Sequence, residues 1–135
     1  MSGIDIQGKL LEHGVLPTPQ RIEVAGVLLD RPQHLSADQI IDRLLETGSV
    51  VSKATVYNCL KLFSKKGLVK EINIDASRKY YDSTTHAHHH FYHVQTGELT
   101  DILEDKISIM TLPSLPSGTE QEGVEVLIRV RDKSS

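Results

Sequence analysis

Residues 52–81, SKATVYNCLKLFSKKGLVKEINIDASRKYY, change their period halfway along. Up to Gly67 the stretch is helical: Ser52 offers an N-cap, Val56, Leu60, Leu62 and Phe63 return to one face, and Gly67 ends the run. From Leu68 alternation takes over. Leu68 to Ile74 and Arg78 to Tyr81 read as two strands joined by the turn-forming Asp75-Ala76-Ser77, which is a hairpin.

Working back from there, residues 5 to 13 read as a short amphipathic helix. Thr18 and Pro19 supply an N-cap followed by proline at the first helical position, opening a helix to about Asp30 with Ile22, Val24, Ala25, Leu28 and Leu29 on its apolar face. Ser36 and Gln39 have capping-box spacing and open a third helix, in which Ile40, Ile41, Leu44 and Leu45 follow until Gly48. Four helices then a hairpin make a winged helix, a helix-turn-helix variant whose last helix enters the major groove of DNA.

The charges agree with that placement. Between Glu46 and Glu71 lie Lys53, Lys61, Lys65, Lys66 and Lys70 and no acid, as expected of a surface facing a polyanion, although a solvated helix face gives the same pattern. In the fourth helix Ser52, Lys53, Thr55, Tyr57 and Asn58 are expected to face outward, with Ala54, Val56, Cys59 and Leu60 in packing positions. Tyr57 can touch a thymine methyl, Asn58 can read an adenine edge and Lys53 can pair with phosphate; the alternative for Tyr57 is a half-buried tyrosine of the core. Lys61, Lys65, Lys66 and Arg78 on the wing would hold the DNA backbone, with Gln20 and Arg21 near the start of the second helix.

Past the hairpin, Ser83-Thr84-Thr85 is a polar linker candidate, giving a winged-helix domain over 1–83 and a second domain over 84–135. In the second, His90 to Val94 and Glu98 to Leu103 flank a turn at Thr96-Gly97, and Val124, Val126, Ile128 and Val130 alternate through a final strand. Pro113 and Pro116 forbid a regular helix between them. The fold class is therefore α+β: a winged helix followed by a small α/β domain dominated by strands. Residues 1–70 carry nine Lys/Arg against seven Asp/Glu, and residues 71–135 six against eleven, so the halves differ in charge as well as in period. No window is apolar enough to span a bilayer, Met1 to Asp5 do not read as a secretory signal, and a single Cys59 allows no internal disulfide and no four-cysteine zinc. Cytoplasmic residence without membrane contact is the expectation, with Cys59 a small core residue.

Five of the seven histidines fall between His86 and His93. If that segment is extended, His88 and His90 point to one side of a strand and His89 to the other, so two faces could serve two sites. Neutral imidazoles suit zinc, iron and other first-row ions, and added carboxylates favour iron(II) or manganese(II).

Thr18-Pro19-Gln20-Arg21, Ser36-Ala37-Asp38-Gln39-Ile40, Ala54-Thr55-Val56-Tyr57-Asn58-Cys59-Leu60 and His88-His89-His90-Phe91, taken in order, resemble the ferric uptake regulator family, collinearly from about residue 9 to 103. The resemblance implies a homodimer that binds a palindromic double-stranded DNA operator under the control of a hinge metal. It puts the regulatory ligands on His34, Asp82, His88, His90 and Asp101, a set closer to the peroxide-sensing and manganese/iron-sensing branches than to the glutamate-containing site. Iron(II) or manganese(II) is implied, with zinc as a substitute. The family's two CxxC pairs are missing: the first falls on His93 and Thr96, and the second has no counterpart. His86, His89, His93 and Glu104 remain as candidates for a second metal or a haem, since His-His-His-Phe-Tyr also resembles the haem-associated iron-response branch.

Two other classes compete with a metal-dependent regulator, a repressor of metal-homeostasis or peroxide-stress genes. A small metal-dependent hydrolase could use His88, His90 and an aspartate, but no general base in a pocket accompanies them. A metal-storage module would leave the basic fourth helix without purpose. The expectation is a regulator and not an enzyme.

Overall fold

Every α-helix begins where a short polar side chain can answer the unpaired amides of its first turn. Asp5 caps α1 (Ile6–Glu12), Thr18 caps α2 (Pro19–Leu29) with Pro19 at its first position, and Ser52 caps α4 (Lys53–Lys65). Ser36 caps α3 (Ala37–Glu46) in a full capping box, accepting from Gln39 N at 3.1 Å while Gln39 Oε1 accepts from Ser36 N at 2.9 Å. At the far end of α4, Gly67 takes φ +76°, where L side chains are strained. Gly67 N donates to Ser64 O and Leu68 N to Phe63 O, satisfying carbonyls of the last turn.

The computed structural model describes residues 5–85 and 88–134, in two compact units spanning residues 1–85 and 86–135. In the first, α1 to α4 enclose a core that includes Leu10, Val24, Leu28, Ile40, Leu60 and Phe63. Its sheet has the order β1-β3-β2, all antiparallel, from β1 (His34–Ser36), β2 (Lys70–Asn73) and β3 (Lys79–Asp82). The hairpin β2–β3 is the expected wing. β1 is an addition, because three residues ahead of a capped helix show no period to read. Pairing with β1 also continues past β3: Ser83 N donates to Gln33 O and Gln33 N to Ser83 Oγ, each at 3.0 Å. Ser83 is therefore tied into the first unit and does not act as the free linker its composition suggested.

One residue placed in a packing position does not pack: Ala54 is exposed at the start of α4, and Leu45 is 63% exposed at the end of α3. For Ala54 the cause is the helical period: Ala54, Tyr57, Asn58, Lys61 and Lys65 recur at three- and four-residue steps and form one outward stripe. Thr55, expected outward, is half-buried, its Oγ1 lying 2.9 Å from Ser52 Oγ.

In the second unit β4 (His89–His93) is the central strand of the order β5-β4-β6, antiparallel to β5 (Leu99–Ile102) and parallel to β6 (Leu127–Val130). β6 is shorter than the alternation from Val124 suggested, although Val126 O still accepts from His90 N at 3.1 Å. Parallel pairing needs a long return connection. Residues 103–126 provide it, and the regular structure within them is one 3-10 turn, Glu104–Lys106, ahead of Pro113 and Pro116. Among the described residues no helix is long and apolar enough to cross a membrane.

Leu60 is fully buried at the centre of the first unit, whereas Leu45 is exposed. Leu60→Ala is expected to lower the unfolding free energy by about 2 to 5 kcal/mol and Leu45→Ala by less than about 0.5 kcal/mol. Urea unfolding followed by circular dichroism measures both, and equal losses would contradict this core.

Candidate metal centre

β4 alternates, so His90 and Tyr92 lie on one face and His89, Phe91 and His93 on the other. Its register with β5 sets His90 directly opposite Asp101. His88, just ahead of the strand, lies on the same side: His88 Nε2 is 3.4 Å and His90 Nε2 3.3 Å from the same Asp101 Oδ1, with the two rings 4.5 Å apart. One ligand atom from each of these three residues lies within 4.8 Å of the others. Two ligands held at ~2.1 Å by one ion are themselves separated by ~3.0 to 3.4 Å at octahedral to tetrahedral angles, so the spacing suits a shared ion. Both imidazoles are buried and Asp101 is exposed on one side. Two ring nitrogens with a carboxylate fit a divalent first-row metal.

The first unit holds two further ligand candidates beside each other. His34 and Asp82 are direct partners across β1 and β3. Directly opposed residues of an antiparallel pair carry their side chains on the same face. Asp82 is fully buried and its Oδ1 accepts from Thr84 N at 2.8 Å, while the His34 ring meets Tyr80 edge-on. The five expected ligands thus divide as a pair in the first unit and a triad in the second.

Of the second set, His86, His89, His93 and Glu104, the three described members do not form a common cluster. His86 lies outside the described residues. His89 is buried, with its Nδ1 accepting from Val126 N at 2.9 Å, so that nitrogen fastens β4 to the entry of β6. His93 Nε2 is 2.9 Å from Asp132 Oδ1, and His93 Nδ1 accepts from Thr96 N at 3.2 Å. Asp132 N in turn donates to Gln95 Oε1 at 2.7 Å. The positions likened to a cysteine pair, His93 and Thr96, therefore hold each other directly and tie the chain beyond β6 to the β4–β5 turn. Glu104 is exposed in the 3-10 turn. The histidine count alone could not distinguish ligands from braces; the Val126 amide and the Asp132 carboxylate, distant in sequence, make that distinction.

Among the DNA-contact candidates, Ser52, Lys53, Tyr57, Asn58, Lys61, Lys65 and Lys66 are exposed on or beside α4. Tyr57 is 49% exposed, too open for a core tyrosine. It borders a cleft of about 740 Å³ with the wing residues Arg78, Tyr80 and Tyr81 and with Asp38 of α3. Gln20 is exposed, whereas Arg21 is half-buried and donates from Nη1 to Leu16 O at 3.0 Å. Ser52 is engaged as the α4 cap. Cys59 is buried, which raises its thiol pKa and keeps it a core residue.

Residues 12–122 match the ferric uptake regulator family. The ferric uptake regulation protein of Synechococcus elongatus is 31% identical over 126 residues, covering 90% of this chain and 83% of that one. The peroxide-responsive repressor PerR of Staphylococcus aureus is 36% identical over 92 residues, 68% of this chain and 62% of the repressor. The structure of the ferric uptake regulator of Pseudomonas aeruginosa with manganese superposes with a TM-score of 0.73 at 25% identity, over 97% of this chain and 100% of that one. Proteins of this family bind DNA and are generally dimeric. With four capped helices, a wing and a His/Asp cluster fit for a divalent ion, the chain belongs to the ferric uptake regulator family: it is a metal-responsive transcriptional regulator and not an enzyme.

Proposed function

We propose that this chain is a homodimeric, cytoplasmic repressor of metal-homeostasis or peroxide-stress genes, whose grip on its operator is set by iron(II) or manganese(II), with zinc able to substitute. The observation that carries this reading is the meeting of His88, His90 and Asp101 around one small volume. His34 and Asp82 complete the proposed ligand set from residues 1–83, the DNA-binding half, and the triad supplies the rest from residues 84–135, the dimerisation half. A bound divalent ion would supply a fixed positive centre that such nitrogen and carboxylate donors share. An ion held by both halves favours one arrangement of them over others, by as much as its affinity differs between arrangements. His88, His90 and Asp101 are already within ligand distance of one another, so little ordering opposes binding.

Operator reading is assigned to the outward stripe of α4. Tyr57 and Asn58 meet base edges, Lys53, Lys61, Lys65 and Lys66 meet phosphates, Thr55 supports the helix start, and Gln20 and Arg21 steady the second helix. Homodimerisation is assigned to residues 88–131. The sheet face opposite the metal triad carries Phe91 and Ile128, 40% and 38% exposed, beside a cleft of about 390 Å³ that also includes Leu103 and Ile107. A symmetric operator calls for two winged helices, and an exposed apolar sheet face supports self-association.

His90→Ala is expected to abolish the gain in operator affinity produced by saturating manganese(II) while leaving circular dichroism unchanged; a variant that keeps the full gain would remove this site from the switch. Tyr57→Ala should cost ~1 to 3 kcal/mol on the operator and much less on random DNA, whereas Lys65→Ala with Lys66→Ala should weaken both alike and flatten the salt dependence. Equal losses for Tyr57→Ala on the two duplexes would take it off the bases. In sedimentation the full chain should run as a dimer at tens of micromolar, and a monomer with and without metal would refute the assignment of residues 88–131.

A further inference from the structure

The wing tip is built on one carboxylate whose two oxygens have separate tasks. Asp75 Oδ1 accepts from Ser77 N at 2.9 Å, Ser77 Oγ at 3.0 Å and Arg78 N at 3.0 Å, which makes the turn. Asp75 Oδ2 accepts from Arg78 Nε at 2.9 Å and Arg78 Nη2 at 2.6 Å, which occupies one edge of the guanidinium. That edge, with two parallel donors, is the one arginine presents to phosphate. The next wing cation is also paired, Lys79 Nζ lying 3.4 Å from Glu71 Oε2. Lys53, Lys61, Lys65 and Lys66 differ: among the described residues none has an acid within ion-pair distance. Sequence-blind attraction for DNA therefore resides on α4, and the wing is muted.

We propose that Asp75 is a specificity-determining residue that masks Arg78, its carboxylate standing where a DNA phosphate would bind, so that the wing engages only where the backbone comes close enough to displace it. The inference rests on the DNA-binding reading above. An exposed ion pair is weak enough to be exchanged for a phosphate at little cost, yet strong enough to compete with loosely placed ones. The guanidinium and the turn amides hold the Asp75 carboxyl well below the usual carboxylate range, so the mask persists at any pH at which DNA is bound.

Asp75→Asn tests this, because the amide oxygen keeps the turn bonds while the charge on Arg78 is released. With manganese(II)-loaded full chain and a random-sequence duplex, the variant should bind about two- to fivefold tighter. The slope of log affinity against log salt should steepen by ~0.9, one added phosphate contact. The double variant Asp75→Asn/Arg78→Ala should match Arg78→Ala alone. Unchanged or weaker binding by Asp75→Asn overturns the mask. So does a gain that survives in the double variant, since loss of a negative charge anywhere near DNA would then account for it. If wild type and all variants fail to bind any duplex, the DNA-binding reading falls and the mask with it.

Discussion

A strand has two faces, and the pairing of His90 opposite Asp101 decides which of them becomes chemical. Because side chains alternate, slipping β4 by one residue against β5 would carry both imidazoles of His88 and His90 away from the carboxylate and bring His89 in their place. The register is held from both edges of β4. On the β6 side His90 N and the His89 ring bind the backbone at Val126, and at the β4–β5 turn His93 N donates to Glu98 O. The candidate cluster of three thus depends on neighbouring histidines whose ring nitrogens are engaged elsewhere, His89 with Val126 N and His93 with Asp132 and Thr96. This explains why a run of histidines contains both ligand candidates and braces.

The same economy shows in how each unit is stabilised. The first has helices around an apolar core and closes β1 onto β3, so that Leu35 and Tyr81 seal it and His34 and Asp82 come side by side at its edge. The second buries few large apolar side chains, chiefly Tyr92, Leu99 and Ile102, and leaves Phe91 and Ile128 open. So small a sheet gains little from its own burial, and a further apolar surface against it would add what it lacks. The segment after β6 is fastened by the His93 to Asp132 pair and by the Gln95 amide group.

Electrostatics divide α4 and the wing in a corresponding way. Among the described residues the lysines of α4 have no acid within ion-pair distance, whereas each exposed cation of the wing has its own carboxylate. Long-range attraction scales with unneutralised charge, and close contact depends on geometry, so under the proposed reading the helix would draw DNA in and the wing would respond to how the backbone lies.

Helix starts and stops were legible in the sequence because their causes are local: Ser36 with Gln39, Thr18 with Pro19, and Gly67 with Ser64 act within six residues. The wing was legible for the same reason, Asp75 and Arg78 being neighbours, and so was the shared side of His88 and His90, which follows from a period of two. Other features depend on residues far apart. β1 exists because His34 to Ser36 find β3 more than forty residues later, Ser83 is fixed by Gln33, and the parallel seat of β6 follows a connection whose length fixes no register. Asp101 reached His88 and His90 in the sequence only through the family resemblance and not through any local pattern, and the partners of His89 and His93, Val126 and Asp132, emerged only from tertiary pairing. Short-range hydrogen bonds and periodicity write themselves into sequence order, whereas cross-strand register is set by the burial of whole faces at once.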